Sequence, residues 1–341
     1  MDLAQAAWMI RDLSQPVSAI DLDQDSNLIA GGWDGSLKKW NADGDLLWTA
    51  QCQDRIESIL RIENSVIVTT GLHISLVQEG EIKWSHALEG SADLLAFHEG
   101  NVVATSSVYD IEHGDFMESA IWKFSIDGEL LDVVRFDERP WFMHADDNLT
   151  LGLGRPKCGA LVNGKHQDLA SDYPVTCGTA ISDKILFGHA DGAISNADGT
   201  KLSNESAAIE SLSCTNEFFV AALESGDLVS YDFKSNQLWK SQGAPVTTQS
   251  LGFSGLHWCG RWNGMVGVVE VRDQQGQIVV DAKTSRPRVS TSIEDRIAIG
   301  FEDGQILVWE KKLFERRLEE KPTNTNERKS ALAAKLRSLR E

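Results

Sequence analysis

Apolar and polar residues alternate with a period of two along most of the chain, in short runs cut by glycine-bearing turns. The pattern is plainest over residues 18–53. Residues 18–22 alternate, residues 28–32 are a run of small apolar side chains, residues 36–40 alternate again, and residues 45–49 follow a turn at Ala42, Asp43 and Gly44. Alternation bounded by Asp-Gly signals predicts antiparallel strands joined by hairpins. Four strands this short cannot bury both faces of their sheet, so the unit needs neighbours like itself.

The same phrase returns over residues 56–89, 92–136, 141–171, 175–206, 209–242 and 246–283. A last copy, 289–309, stops after its third strand, and residues 7–11 can supply the fourth. A repeat of about 40 residues is that of propeller blades. Closing the ring with the N-terminal strand removes both free sheet ends, which would otherwise template aggregation. The expected fold is all-β: a closed β-propeller of eight four-stranded blades over residues 1–310. A basic, helical tail (311–341) follows, with a linker at 321–326. Gly192 and Gly199 lie so close that the fifth copy is the weakest, which leaves seven blades as the alternative.

In a propeller, the hairpins joining second to third strands share one face with the blade-to-blade crossovers. The turns of the other face, such as Asp43-Gly44, Asp127-Gly128 and Asn163-Gly164, carry turn chemistry alone. The first face differs. Its hairpins carry Trp33, His73, Arg155, His189, Arg261, Trp262 and Phe301, and its crossovers carry Arg139, Trp141, Tyr173, Arg286 and Arg288. Aromatic and arginine side chains bury large areas or donate several hydrogen bonds, and they dominate binding hot spots. These twelve residues are the candidate partner-binding set. The overlong hairpin at 109–118 adds a contact loop held on a rigid scaffold. Its Asp110, Glu112, His113 and Asp115 match no EF-hand spacing, and no metal is expected.

Indoles follow the repeat. Trp8, Trp48, Trp84 and Trp239 fall in fourth strands, and Trp40, Trp122 and Trp309 fall near the ends of third strands. Flat rings wedged between blades account for eleven Trp against three Tyr.

Charge is uneven. The whole chain carries −19, whereas residues 311–341 hold ten basic and five acidic side chains, which leaves −24 on residues 1–310. Such a body repels nucleic acid and anionic membranes, so nucleic acid is an expected partner only through the basic tail. No apolar run is long enough to span a bilayer and no charged-then-apolar leader opens the sequence. The five cysteines are scattered and odd in number, as in a reduced compartment, and a cytoplasmic location is expected. Residues 311–320 are expected to form a short helix on the ring edge. Residues 327–341 are rich in helix formers, and Leu332, Leu336 and Leu339 fall on one stripe that serves as a second contact.

No G-x-S-x-G, H-E-x-x-H or P-loop motif is present, so no catalytic residue is assigned. Gly32-Trp33-Asp34-Gly35 through Trp40, and Gly300-Phe301-Glu302-Asp303-Gly304 through Trp309, resemble the second-to-third strand signature of WD40 repeats. The runs ending in Trp48, Trp84 and Trp239 are similar to the repeat of quinoprotein-like propellers. The first resemblance implies a non-catalytic platform that assembles protein complexes. The second would imply a redox cofactor, but the adjacent Cys-Cys pair of quinone-dependent dehydrogenases is missing, and no cofactor is expected. The expected function is therefore a scaffold that binds a protein or peptide on the Arg/aromatic face. The alternative is a small-molecule or carbohydrate-processing enzyme at the central mouth, with inward carboxylates and His73 or His189 as acid/base groups.

Overall fold

The structure, a computed structural model, describes residues 3–319. It contains eight antiparallel sheets of four strands each. We letter the strands of a blade A to D from the axis outward. The inner A strands are Val17–Leu22, Ile56–Ile62, Ser91–His98, Pro140–Ala145, Val175–Ile181, Ile209–Cys214, Val246–Leu251 and Pro287–Ile293. Each contacts the A strand of the next blade, and the last contacts the first, so the ring closes. The eighth sheet consists of Pro287–Ile293, Arg296–Phe301, Gln305–Glu310 and Met9–Asp12, so the N-terminal strand completes the last blade.

The fifth copy is a true blade. Its outer strands Ala193–Asn196 and Lys201–Asn204 have only four residues each, which is why its signal is faint.

Adjacent A and B strands pack at a distance that only small side chains permit. A Cβ on Gly31 would lie 2.5 Å from Ile56 Cβ of the next blade, and one on Gly188 would meet Ile209. In blade 2 the residue in the same register is Thr69, and there the next blade's strand carries Ala92. Close packing of this kind leaves little room for added volume.

Trp40, Trp122 and Trp309 are buried at the ends of third strands. Trp48, Trp84 and Trp239 share one register in their D strands, each opposite the residue before a bulge. Trp8 departs from this series. It precedes its strand and stacks under Arg296 at 4.7 Å, while Arg11 takes the place over Gly44 that an indole takes over Gly128 and Gly276.

The helix Lys311–Glu319 lies against blades 7 and 8. Its Phe314 is fully buried on Phe253 and Trp258, and Trp309 Nε1 donates to the Leu3 carbonyl at 2.8 Å. This stretch belongs to the ring's packing. Leu332, Leu336 and Leu339 lie outside the described residues.

Candidate functional site

Hairpins between B and C strands lie beside the crossovers. In five blades the residue after strand B donates its N–H to the crossover carbonyl, Trp33 to Pro16, Gly154 to Arg139, Ala190 to Pro174, Glu224 to Ala208 and Glu302 to Arg286, and in blade 7 the last residue of the strand does so, Trp262 to Pro245. A second device aims side chains at this face. In seven A strands the second residue is bulged out of register: Ser18, Glu57, Trp141, Thr176, Glu210, Thr247 and Arg288. A bulge leaves its extra residue unpaired and re-aims it. Where that residue is Ser18, Thr176 or Thr247, the hydroxyl turns back to the carbonyl of Gly31, Gly188 or Gly260. Glu57, Trp141 and Arg288 instead join ion pairs and stacks at this face.

Two aromatic–guanidinium clusters result. In the first, Trp33 sits in the turn of blade 1, which is held by Asp34 accepting from the Ser36 N–H and by Gly35 at φ 81°. Arg55 lies over its ring at 4.8 Å and Arg288 at 4.6 Å, yet Trp33 remains 41% exposed. Arg55 is fixed by Glu57 at 2.9 Å, and Arg288 by an ion pair with Glu302. In the second, Arg139 lies 3.8 Å from the Phe116 ring and 4.2 Å from that of Trp141, which is 44% exposed. Phe116 meets Trp141 edge-on at 6.3 Å and Tyr109 at 5.1 Å. The long hairpin of blade 3 therefore leans over blade 4 and presents Tyr109, Ile111, Met117 and Trp141 to solvent. Each cation–π contact contributes about 0.5–1 kcal/mol at an exposed site, enough to hold an indole in place before anything binds.

The hairpin's Asp110 serves the turn. It accepts from the Glu112 and His113 N–H groups and pairs with His113 Nδ1 at 2.9 Å. The His113 bond and those backbone bonds hold its carboxyl below the ordinary range.

At the mouth of the ring, Arg139 pairs with Asp93 at 2.9 Å. Burial lifts the carboxyls of Glu57 and Asp93 above their ordinary values, against the pull of Arg55 and Arg139. Burial also lowers Arg139. The carboxylates nearest to an acid/base pair are thus each held by a guanidinium. Arg139 Nε is buried and makes no hydrogen bond among the described residues. On blades 5 to 8 the inner strands line an open hollow of about 300 Å³ bordered by Thr179, Ser213, Gln249, Ser250 and Ser290.

The remaining candidates divide. Arg155 and Tyr173 are exposed and flank a groove of about 550 Å³ between blades 4 and 5. Arg286 lies 5.8 Å from the Trp262 ring. His73 is half-buried at the turn of blade 2. Three are removed from the surface. Phe301 packs with Trp258 and Trp309 in the core. His189 is enclosed, with Nε2 2.9 Å from Ser195 Oγ, and burial holds its pKa below the ordinary value. Arg261 is buried and donates to the carbonyls of Gly226 and Ala244 and to Glu270.

The reason is a register of one residue. Gly32, Leu153, His189, Leu223, Arg261 and Phe301 each pair with the first residue of their own A strand and are buried; the next residue begins the face. Counting two residues back from the turn glycine in Trp33-Asp34-Gly35, Ala190-Asp191-Gly192 and Glu302-Asp303-Gly304 would have marked the outward position. Glu57, Asp93 and Phe116 were outside the candidate set. The bulge that aims Glu57 leaves no mark in residue type.

Among the described residues, no group of three His, Cys, Asp or Glu side chains could hold a metal ion, and no helix is long and apolar enough to cross a membrane. Comparison with solved structures gives the architecture. The chain is similar to Sqt1 of Saccharomyces cerevisiae (TM-score 0.70, 13% identity, 89% of this chain and 98% of that one). It is similar to the Dos1 propeller (TM-score 0.69, 8% identity, 89% and 94%). It is also similar to the WD40 β-propeller domain of Doa1 (TM-score 0.57, 15% identity, 90% and 98%). No protein-family model and no curated protein sequence matches the chain.

Proposed function

We propose that this β-propeller of WD40-like architecture is a protein-interaction scaffold that captures a peptide segment across the Trp33 and Trp141 clusters. The observation that carries the reading is the pair of half-exposed indoles, each clamped by arginine on the same face. Ordering a side chain before binding removes part of the entropy cost of association, and Trp and Arg are the commonest hot-spot residues. Arg155, Tyr173, Arg286 and Trp262 extend the contact around the rim, with His73 beside them. The segment bearing Leu332, Leu336 and Leu339 supplies a second contact in this reading.

The test is proximity crosslinking in native lysate with the full chain, comparing wild type with Trp33→Ala/Trp141→Ala. Both rings are partly exposed and outside the core clusters, so the double variant still unfolds cooperatively, at a somewhat lower midpoint, and loses the crosslinked protein that wild type captures. A folded variant that captures the same proteins in the same yield refutes the reading.

A further inference from the structure

Two seams of the ring are sealed in the same way on the face opposite the proposed rim. The indole of a D strand lies on the glycine of the next blade's C–D turn, Trp84 on Gly128 and Trp239 on Gly276, whereas Gly80 meets the Thr49 carbonyl and the Cβ of Trp48. A Cβ on Gly128 would meet Trp84 at 2.6 Å, and one on Gly276 would meet Trp239 at 2.6 Å. Trp84 also donates its Nε1–H to the carbonyl of Ile126 in that turn at 3.1 Å. The seam between blades 3 and 4 lacks the indole. The D-strand residue in the same register, opposite Lys123 and just before the bulge, is Asp132. The receiving turn is present: Asn163-Gly164, at φ 46° and 75°, repeats the two-residue turn Glu79-Gly80 at φ 52° and 83°. Yet nothing lies within 4 Å of where a Gly164 side chain would begin, whereas Gly80 meets Trp48 Cβ at 3.1 Å.

What remains is a groove of about 730 Å³. Its floor is Ile121, Phe136, Leu149 and Leu161, with Val134 half-exposed at the lip. Glu99, Asp132 and Glu138 stand at the edge with Lys123 and Lys157; Lys123 lies 3.8 Å from Glu99, and Asp132 and Glu138 form no ion pair among the described residues. Blade 4 contributes to the opening because its outer strands Ala160–Val162 and Lys165–Gln167 have only three residues each.

We infer that this groove is a docking slot for an aromatic side chain, indole above all, supplied by a partner peptide in which a Lys or Arg flanks the aromatic residue. The molecule shows at two other seams what the slot holds: a flat ring on a turn glycine, Trp84 on Gly128 and Trp239 on Gly276. The carboxylates of Asp132 and Glu138 supply the charge that a basic flank complements, on a body that is itself acidic. Residues 320–341 contain no aromatic side chain, so the chain's own C-terminal segment does not supply the ring. The slot runs from the Gly164 turn to Glu138 and Leu153 beside the Trp141 cluster, but Trp33, Arg139 and Trp141 do not line it, so its test is separate from that of the rim.

The test uses the full chain with methyl-labelled Ile, Leu and Val, observed by NMR during titration with a capped lysine–tryptophan–lysine tripeptide and its alanine-centred counterpart. The tryptophan peptide shifts the methyls of Ile121, Val134, Leu149 and Leu161 saturably, and the alanine peptide binds at least about tenfold more weakly, the order expected when a ring is buried. Asp132→Trp supplies the ring from within and weakens the response at least about tenfold, as does Val134→Lys at the exposed lip. Equal response to the two peptides, no saturable shift at these methyls, or an unchanged response in folded Val134→Lys overturns the inference.

Discussion

Glu270→Gln is expected to destabilise the ring strongly. The Glu270 carboxylate accepts from Arg261 Nε at 3.0 Å and from Arg272 Nε and Nη2 at 3.1 and 2.7 Å. The two arginine side chains are only 3% and 6% exposed, and the glutamate 14%. Breaking a buried pair by removing one partner costs about 3–5 kcal/mol, because a charge is left desolvated. The amide keeps one acceptor oxygen but no charge, so about 3 kcal/mol is the figure for this variant. That is a large part of a typical stability of about 5–15 kcal/mol. Arg261 also donates to the carbonyls of Gly226 and Ala244 in the preceding blade, so the loss falls on a seam. Urea unfolding at neutral pH, followed by circular dichroism with the slope checked for constancy, measures it. Acid adds a second arm. Burial pushes the Glu270 carboxyl up, but Arg261 and then Arg272 outweigh it and hold it below the ordinary 4.5. Its contribution is therefore present above the unfolded pKa and disappears as pH falls through the folded one. Glu270→Gln should lack that part of the profile. A midpoint shift worth less than about 1 kcal/mol would refute the account, since that is the level of an exposed pair.

Two further outcomes follow from the seams and from blade 7. Burial, then Arg272 and Arg261, pushes the His257 imidazole down to about 3 from an ordinary 6.5. The unfolded chain binds this proton and the ring does not, so stability falls as pH drops from 6.5 toward 3, by about 1.4 kcal/mol per unit. His257→Gln should flatten the stability profile by one proton over that window, as measured by urea titrations at successive pH values. Gly31→Ala places a methyl 2.5 Å from Ile56 Cβ; overpacking of this kind costs about 1–3 kcal/mol and should lower the melting temperature without altering the rim.

Much of the ring was legible because local pattern and global closure agree. Residues 28–32 and 36–40 are the strands Leu28–Gly32 and Ser36–Trp40, since alternation, small residues and the Asp-Gly turn all point one way. The incomplete last copy and the orphan N-terminal strand identified each other for the same reason. Side-chain direction was less legible. In an alternating strand a shift of one residue exchanges inside and outside. Trp33 and Phe301 sit in similar sequence phrases, but Phe301 is still in its strand while Trp33 is already past the end of its own. Arg261 was read as a surface cation because its carboxylate, Glu270, sits on the next strand, where no short motif connects them. Contacts between blades are about one repeat apart in sequence: Arg139 meets Asp93 across 46 residues, and Arg61 meets Asp21 across 40.

The same distance explains where such a molecule can vary. Closure constrains the A and B strands, because a Cβ on Gly31, Gly152, Gly188, Gly260 or Gly300 would meet Ile56, Val175, Ile209, Pro287 or Val17 of the next blade. Turn glycines and D-strand indoles form a weaker rule, since each seals one outer seam and no other. Two seams follow it, Trp84 on Gly128 and Trp239 on Gly276; blade 3 carries Asp132 in that register while its inner strands still close, and a groove is left on the outside of an intact ring. The inner bulges leave similar freedom, because an unpaired residue there is bound to no ladder. Ser18, Thr176 and Thr247 fill it with a hydroxyl returned to the backbone, and Trp141 and Arg288 fill it with a side chain turned to the rim. Recognition can therefore change at the bulges and at the outer seams without the ring having to be rebuilt.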